Sequence, residues 1–122
     1  MVKKLLSVRG TVASIELGKI PGIYFCKILS NNRKYEITLE LHEKLKIINE
    51  GDKVSFELFD GEPRKISESD FIGRGYLFKI TKSDNKEKYV LSIGGLVVTI
   101  IAKEPIKNVS LDKDYYVKLH KL

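Results

Sequence analysis

The chain has 122 residues, a formal net charge of +6, 43% apolar residues and 31% charged residues. This length fits one domain, spanning 1–122, and the composition is that of a globular protein rather than a disordered one. No stretch reaches the roughly 18 consecutive apolar residues of a membrane-spanning helix, and the alternation after the first residues is unlike a signal peptide. Because Cys26 is the one cysteine, no intramolecular disulfide can form, and we expect a cytoplasmic protein.

The positive charge comes mainly from lysine, and the lysines are spread along the whole chain. A basic balance attracts nucleic acid or acidic partners over long range. A surface rich in lysine and glutamate is also common in hyperthermophile proteins, where it is simply solvated. The even spread favours a solvated surface, so the charge alone assigns no function.

Period-two alternation of apolar and polar residues dominates the chain and predicts half-buried strands. The first predicted strand, Leu5–Leu17, changes its apolar phase between Val12 and Ile15. This change indicates a bulge or bend near Gly10, which would let one strand serve two sheets. Seven further strands are predicted, at Ile23–Leu29, Tyr35–Leu41, Val54–Leu58, Tyr76–Ile80, Lys88–Ile93, Leu96–Ala102 and Tyr115–Leu119.

Turn-forming residues separate these strands. They lie at Gly18–Gly22, Asn31–Asn32, Glu50–Asp52, Ser83–Asn85 and the glycine pair Gly94–Gly95. One short segment, Leu41–Ile48, is predicted to be helical for at most two turns. The polar, irregular segment Asp60–Asp70 is the candidate for a mobile loop and divides the chain into halves of four strands each.

The predicted fold class is therefore all-β, a small antiparallel barrel of eight strands with one short helical segment. An OB-type barrel is the leading architecture, because a long, bent first strand allows such a barrel to close.

No arrangement of residues in the sequence predicts catalysis. His42 and His120 have no second histidine, cysteine or spaced carboxylate at ligand distance along the sequence, so no metal site is predicted. Cys26 alternates with Tyr24 and Ile28 inside a strand, which indicates a buried structural thiol. A phosphate-binding loop and a nucleophile elbow are both missing from the sequence. We therefore expect neither an enzyme nor a cofactor, and no small-molecule ligand.

Most aromatic residues fall in phase with the apolar face of their strand and are predicted to lie in the core. Tyr76, Phe78 and Ile80, for example, form the apolar face of the fifth predicted strand. Tyr116 and Phe59 are out of phase, so these two are the candidates for stacking on nucleic-acid bases or docking on a partner.

The predicted strand Leu96–Ala102 is apolar on both faces. Val97, Thr99 and Ile101 lie on one side, and Leu96, Val98 and Ile100 lie on the other. A solvated outer face would be polar, so this face is covered either by the chain itself or by a partner. We expect Val97 and Ile101 to face outward beneath a partner.

Several motifs occur in a specific order. They are a Gly-Asp-Lys turn with an alternating strand (Glu50–Leu58), an aromatic strand with a central glycine at Gly75 (Phe71–Ile80), Gly94-Gly95-Leu96, and a terminal aromatic strand (Tyr115–Leu119). In this order the chain resembles the RNA polymerase subunit 8 family, which comprises the eighth common subunit of eukaryotic nuclear RNA polymerases and its archaeal counterpart. The chain has only Asp60–Asp70 where eukaryotic members carry a long acidic loop, and Thr99 where they tend to have arginine. The short loop is similar to the archaeal form.

The resemblance implies a non-catalytic, peripheral subunit of archaeal DNA-directed RNA polymerase. Its OB-type barrel would dock on the largest subunit, away from the catalytic magnesium, and its contact with nucleic acid would be indirect or weak. The expected partner-binding residues are Gly73, Gly75, Tyr76, Gly94, Gly95, Leu96, Val97 and Ile101.

Two alternatives stay open at the level of the sequence. A free-standing OB-fold protein that binds single-stranded nucleic acid would carry outward aromatics beside lysines in one groove. An RNA-associated factor of translation or RNA decay is the other alternative.

Overall fold

The computed structural model describes residues 2–43, 48–64, 66–67 and 70–122. Within them the chain forms β1 (Lys4–Leu17), β2 (Ile23–Ser30), β3 (Tyr35–His42), β4 (Lys53–Phe59), β5 (Phe71–Ser83), β6 (Lys86–Ile93), β7 (Leu96–Ala102) and β8 (Lys113–Lys121). All neighbouring strands are antiparallel, and they close into an OB-like barrel in the order β1-β2-β3-β7-β6-β5-β8-β4. The predicted all-β barrel of eight antiparallel strands is confirmed.

The long first strand closes the barrel by pairing with two partners. Its first part pairs with β4 and its second part with β2, and the register shifts between Val12 and Ser14. At Gly10, where β1 meets both partners, a Cβ atom would lie 2.4 Å from the carbonyl oxygen of Leu29. Glycine therefore permits the close approach, and the predicted bulge near this position is confirmed.

The predicted helical segment Leu41–Ile48 begins instead as strand. Leu41 and His42 are the last residues of β3, where they pair with Tyr24 and Ile23 of β2. Residues 44–47 of that segment lie outside the described residues. In the stretch predicted to be irregular, the described residues 60–64, 66–67 and 70 are not in a strand, while 65, 68 and 69 are outside the described part.

The core consists of inward-facing apolar side chains from all eight strands. The side chains with the least exposure come from β3, β4, β7 and β8, namely Ile37, Leu39, Val54, Phe56, Ile100, Ala102, Val117 and Leu119. Cys26 is also buried here, and burial raises the pKa of its thiol to about 11. The thiol is therefore protonated at neutral pH and inert, as the sequence predicts.

The aromatic phase of β5 is opposite to the predicted one. Leu77 is buried, whereas Tyr76 is 42% exposed and Phe78 is 43% exposed. The register with β6 shifts between Leu77 and Lys79, which marks a bulge at Phe78, and this bulge brings Ile80 back to the inner side. The prediction that Tyr76 and Phe78 face the core is wrong, because the bulge inverts the apparent alternation.

Two glycines fill the inner positions that precede Leu77 on β5. A Cβ atom at Gly73 would lie 2.6 Å from Cγ2 of Ile93, and one at Gly75 would lie 3.1 Å from Cγ1 of Ile93 and 3.3 Å from Leu91. The glycines therefore make room inside the barrel for the side chains of β6. Glycine contributes nothing to an apolar pattern, so the inner phase of β5 could not be read from hydropathy.

The β6–β7 hairpin turns on the glycine pair. Gly94 and Gly95 have φ angles of +56° and +89°, as a tight turn with two left-handed residues requires. In the β5–β6 hairpin, Asp84 and Asn85 take the same region with φ of +48° and +64°. Both predicted hairpin turns are confirmed.

Candidate docking surface

The outer face of β7 carries Val97, Thr99 and Ile101. These three residues alternate with the buried Val98, Ile100 and Ala102, and each is partly exposed. Two β-branched aliphatic side chains therefore face away from the core, on a strand that lies between β3 and β6. Apolar residues in that position are typical of a surface that contacts another protein.

Neighbouring strands extend this apolar surface. Val97 pairs with Ser92 of β6, which in turn pairs with Tyr76 of β5, and Thr99 pairs with Val90. Val90 is on the outer side by register and is nevertheless only 8% exposed. We call the surface formed by Tyr76, Val90, Val97, Thr99 and Ile101 the β5–β7 face.

The fold brings only some of the predicted partner-binding residues to this surface. Tyr76 and Val97 flank Ser92 at about 10 Å from each other across the strands, and Ile101 lies about 13 Å further along β7. Gly94 and Gly95 are exposed in the adjoining hairpin turn. Three of the predicted residues lie instead on the inner side of their strands, namely Gly73, Gly75 and Leu96.

Hydrogen bonds fix the edge of the β5–β7 face. The backbone N–H of Val97 donates to Oε1 of Glu40 at 2.7 Å, which holds the first residues of β7 beside β3. The hydroxyl of Tyr76 donates to Oδ1 of Asp112 at 2.7 Å. This hydrogen bond raises the pKa of Tyr76 and holds its ring against the surface.

The two aromatic residues predicted as outward candidates have different surroundings. Phe59 is only 8% exposed and lines a hollow with Val2, Lys4 and Pro63, with Nζ of Lys4 6.0 Å from the ring centroid. The chain itself covers most of the Phe59 ring, which leaves little of it for stacking on a base or docking with a partner. Tyr116 lies partly exposed on β8, opposite Arg74 of β5.

A buried carboxylate lies on the other side of the barrel from β7. The Asp70 side chain is 2% exposed, and its oxygens lie 2.5 Å from Nδ1 of His120 and 3.6 Å from Nζ of Lys118. The N–H of Ser67 donates to Oδ2 at 3.0 Å. Burial raises the pKa of Asp70, but the hydrogen bonds from Ser67 and His120 outweigh it and hold the pKa at about 2. This group anchors the end of the 60–70 segment to β8.

Sequence reasoning missed a cluster of cations at the opposite end of the β6–β7 outer surface. Arg33, Lys86, Lys88 and Lys103 are exposed there and lie within three adjoining hollows. They come from separate parts of the chain, so they look evenly scattered in the sequence. The sequence signal for this cluster was the alternation of β6, which places Lys86 and Lys88 on the outer side of the strand.

Neither a metal centre nor a membrane helix is present in the part of the chain that the structure describes. No group of three or more histidine, cysteine, aspartate or glutamate residues is placed to hold a metal ion. No described helix has the length and apolarity that would let it cross a membrane.

Comparison with known proteins identifies a family. The family model for RpbG, a subunit of DNA-directed RNA polymerase, matches residues 5–122, which is nearly the whole chain. No curated protein matches the chain. Among solved structures, the cytoplasmic molybdate-binding protein ModG with molybdate bound shares 14% identity over 94% of each chain, with a TM-score of 0.38. That similarity is too low to support a shared function.

The family match confirms the resemblance read from the motifs and favours a polymerase subunit over a free-standing nucleic-acid-binding protein. It also implies association with the polymerase complex, in the nucleus or the cytoplasm. The chain belongs to the RpbG family of DNA-directed RNA polymerase and is a non-catalytic subunit of that enzyme.

Proposed function

We propose that this chain docks on the largest subunit of an archaeal RNA polymerase through its β5–β7 face, as a peripheral subunit in the cytoplasm. The observation that carries the proposal is the outer side of β7, where Val97 and Ile101 are turned away from a core that the neighbouring residues already fill. The short segment 60–70 supports the archaeal assignment, since eukaryotic members of the resembled family carry a long acidic loop there.

The closed barrel limits how a partner can bind. Each of the eight described strands has a paired neighbour on both sides over part of its length, so much of the backbone is already hydrogen-bonded and unavailable to a partner strand. Docking through side chains requires an outer face or a turn. The β5–β7 face and the exposed Gly94–Gly95 turn beside it meet that requirement.

The outer rows on the opposite side of the barrel are mostly polar, beside an apolar hollow at Phe59. Across β1, β4 and β8, the outer rows contain Arg9, Ser55 and His120, then Ser7, Glu57 and Lys118. The β5–β7 face has valine, threonine and isoleucine at the corresponding outer positions of β7. The apolar side chains on the outer side of β7 therefore offer surface that a partner can remove from water.

A double substitution tests this surface. Val97→Asp with Ile101→Asp should leave the isolated barrel folded, with a melting temperature close to that of the parent, because both side chains lie outside the core. It should abolish assembly with the largest subunit, since burying unpaired carboxylates at an apolar contact costs several kcal/mol. Assembly is measured by reconstitution of tagged chain with polymerase that lacks it, followed by affinity capture.

The matched control is Ser7→Asp with Ser55→Asp, which adds the same charge to the outer face of β1 and β4. This control should fold and assemble normally. If the Val97 and Ile101 double variant unfolds by itself, the face is internal core and the docking surface is wrong. If it folds and still assembles, the subunit docks through a surface other than the outer side of β7.

A further inference from the structure

The outer surface of β6 and β7 changes from apolar to cationic along its length. Moving away from the Gly94–Gly95 turn, the outward residues of β7 are Val97, Thr99, Ile101 and then Lys103. The outward residues of β6 in the same direction are Ser92, Val90, Lys88 and Lys86. The apolar β5–β7 face is therefore continuous with a cationic surface on the same two strands.

This cationic surface is concave. Three hollows of about 390, 290 and 220 Å³ adjoin one another, and Lys86 lines all three. Lys103 lines two of them, and Ile101 also lines two. We call this surface the cationic groove and define it by Arg33, Lys86, Lys88 and Lys103 around Ile101.

Among the described residues, the cations of the groove have no carboxylate in an ion pair with them. Nearby lysines do form ion pairs, Lys34 with Glu104 at 2.9 Å, Lys82 with Glu87 at 3.3 Å and Lys27 with Glu36 at 2.8 Å. Across the described residues, the four cations of the groove make no such pair with a carboxylate. Glu36 and Glu87 also line the hollows, but each already forms an ion pair with another lysine. Asp84 is then the remaining acidic residue among the described residues that line the hollows, compared with four cations.

We infer that the cationic groove receives an acidic segment of the polymerase protein that covers the β5–β7 face. The inference rests on the proposed function, because the same partner would contact both halves of one continuous surface. A protein segment with apolar residues followed by aspartate or glutamate complements the change from valine and isoleucine to lysine. Complementary charge at the edge of an apolar contact raises the association rate and fixes the orientation of the partner.

A single nucleic-acid strand fits the groove less well. Binding of single strands depends on aromatic side chains on which bases stack, beside cations that follow the backbone. The exposed aromatic rings Phe25, Tyr76 and Phe78 do not line the hollows, and Tyr35, which does, is only partly exposed. The carboxylates of a protein segment can bind to the lysines of the groove without any aromatic ring.

The test is charge reversal with a matched control. Lys86→Glu with Lys103→Glu should weaken capture of the largest subunit by about tenfold or more at low salt, and should flatten the fall in capture between about 0.05 and 0.2 M salt. Lys3→Glu with Lys19→Glu makes the same change in net charge at exposed positions away from the groove and should stay within about twofold of the parent. Melting temperatures establish that both variants are folded.

The outcomes separate this inference from the proposed function. If Val97→Asp with Ile101→Asp abolishes capture while the groove variant behaves like its control, the docking proposal is supported. The inference that an acidic segment binds in the groove is then overturned. If the Val97 and Ile101 variant still assembles, the docking proposal itself fails. Fluorescein-labelled single-stranded oligodeoxythymidine is the second probe. Loss of its binding in the groove variant, with capture unchanged, would assign the groove to nucleic acid and overturn the inference.

Discussion

Asp70 shows how one buried carboxylate ties an irregular segment to the barrel. Its oxygens receive the N–H of Ser67 and lie beside His120 and Lys118 of β8. Burial alone would favour the protonated acid, yet the hydrogen bonds keep the pKa at about 2, below the ordinary value of 3.8. The folded state therefore binds a proton at Asp70 less readily than the unfolded state does.

This depressed pKa predicts a defined pH dependence. The stabilisation from Asp70 is fully present above the ordinary pKa and is lost as the pH falls through the folded value, so the relevant range is about pH 4 to 2. Asp70→Asn should lower the melting temperature at pH 7, and the difference from the parent should shrink across that range. Thermal unfolding followed by circular dichroism checks this expectation.

Asp84→Asn is the control for the Asp70 variant, because it removes the same charge from an exposed turn. It should change stability at pH 7 by no more than about 0.5 kcal/mol, as is usual for surface positions. A melting-temperature difference between parent and Asp70→Asn that stays constant from pH 7 to 2 would contradict the account of this carboxylate.

At the scale of elements, the β6–β7 hairpin depends on the backbone of its two glycines. No atom lies within 4 Å of a Cβ built at Gly95, so space is available, but its φ of +89° is strained for any residue with a side chain. Gly95→Val should therefore destabilise the barrel by about 1–3 kcal/mol through the backbone rather than through a clash. Chemical denaturation measures this change in the free energy of unfolding.

Gly95→Asn distinguishes the two causes, because asparagine accepts the left-handed region far more readily than valine does. It should recover most of the lost stability while adding a side chain of similar size. Equal destabilisation by asparagine and valine would show that space, not backbone conformation, limits this position.

Strands that alternate regularly were predictable from the sequence, and β5 was not. In β3, β4 and β8, large apolar residues occupy each inner position, as in Val54, Phe56 and Leu58. In β5, glycine occupies two inner positions and a bulge at Phe78 shifts the phase. Hydropathy therefore assigns the aromatic residues to the core. The glycines occupy the inner positions because the side chains of Ile93 and Leu91 of β6 leave no room for larger residues there.

The prediction of a helix from Leu41 was wrong for a related reason. A local pattern of apolar and charged residues fits both a short helix and the end of a strand. Pairing of Leu41 and His42 with β2, a contact that is distant in sequence, decides in favour of the strand.

At the scale of the whole molecule, the candidate surface was partly predictable. The apolar residues on both faces of β7 are visible in the sequence and lead to Val97 and Ile101. The order of strands is not visible in the sequence. This order places Tyr76 and Val97 on either side of Ser92 and gathers Arg33, Lys86, Lys88 and Lys103 at one end. Clusters of surface charge depend on the topology of the strands. Only the fold brings these cations together to form the cationic groove.

Site-specific crosslinking in the assembled polymerase tests the docking of this subunit most directly. A photoreactive benzoylphenylalanine replaces Thr99, at the centre of the β5–β7 face, and in a second protein it replaces Ser7 on β1, which is separated from β7 by β2 and β3 around the barrel. Illumination of the complex should crosslink position 99 to the largest subunit and leave position 7 without that product. Crosslinking to the largest subunit from position 7 and not from position 99 would contradict the account.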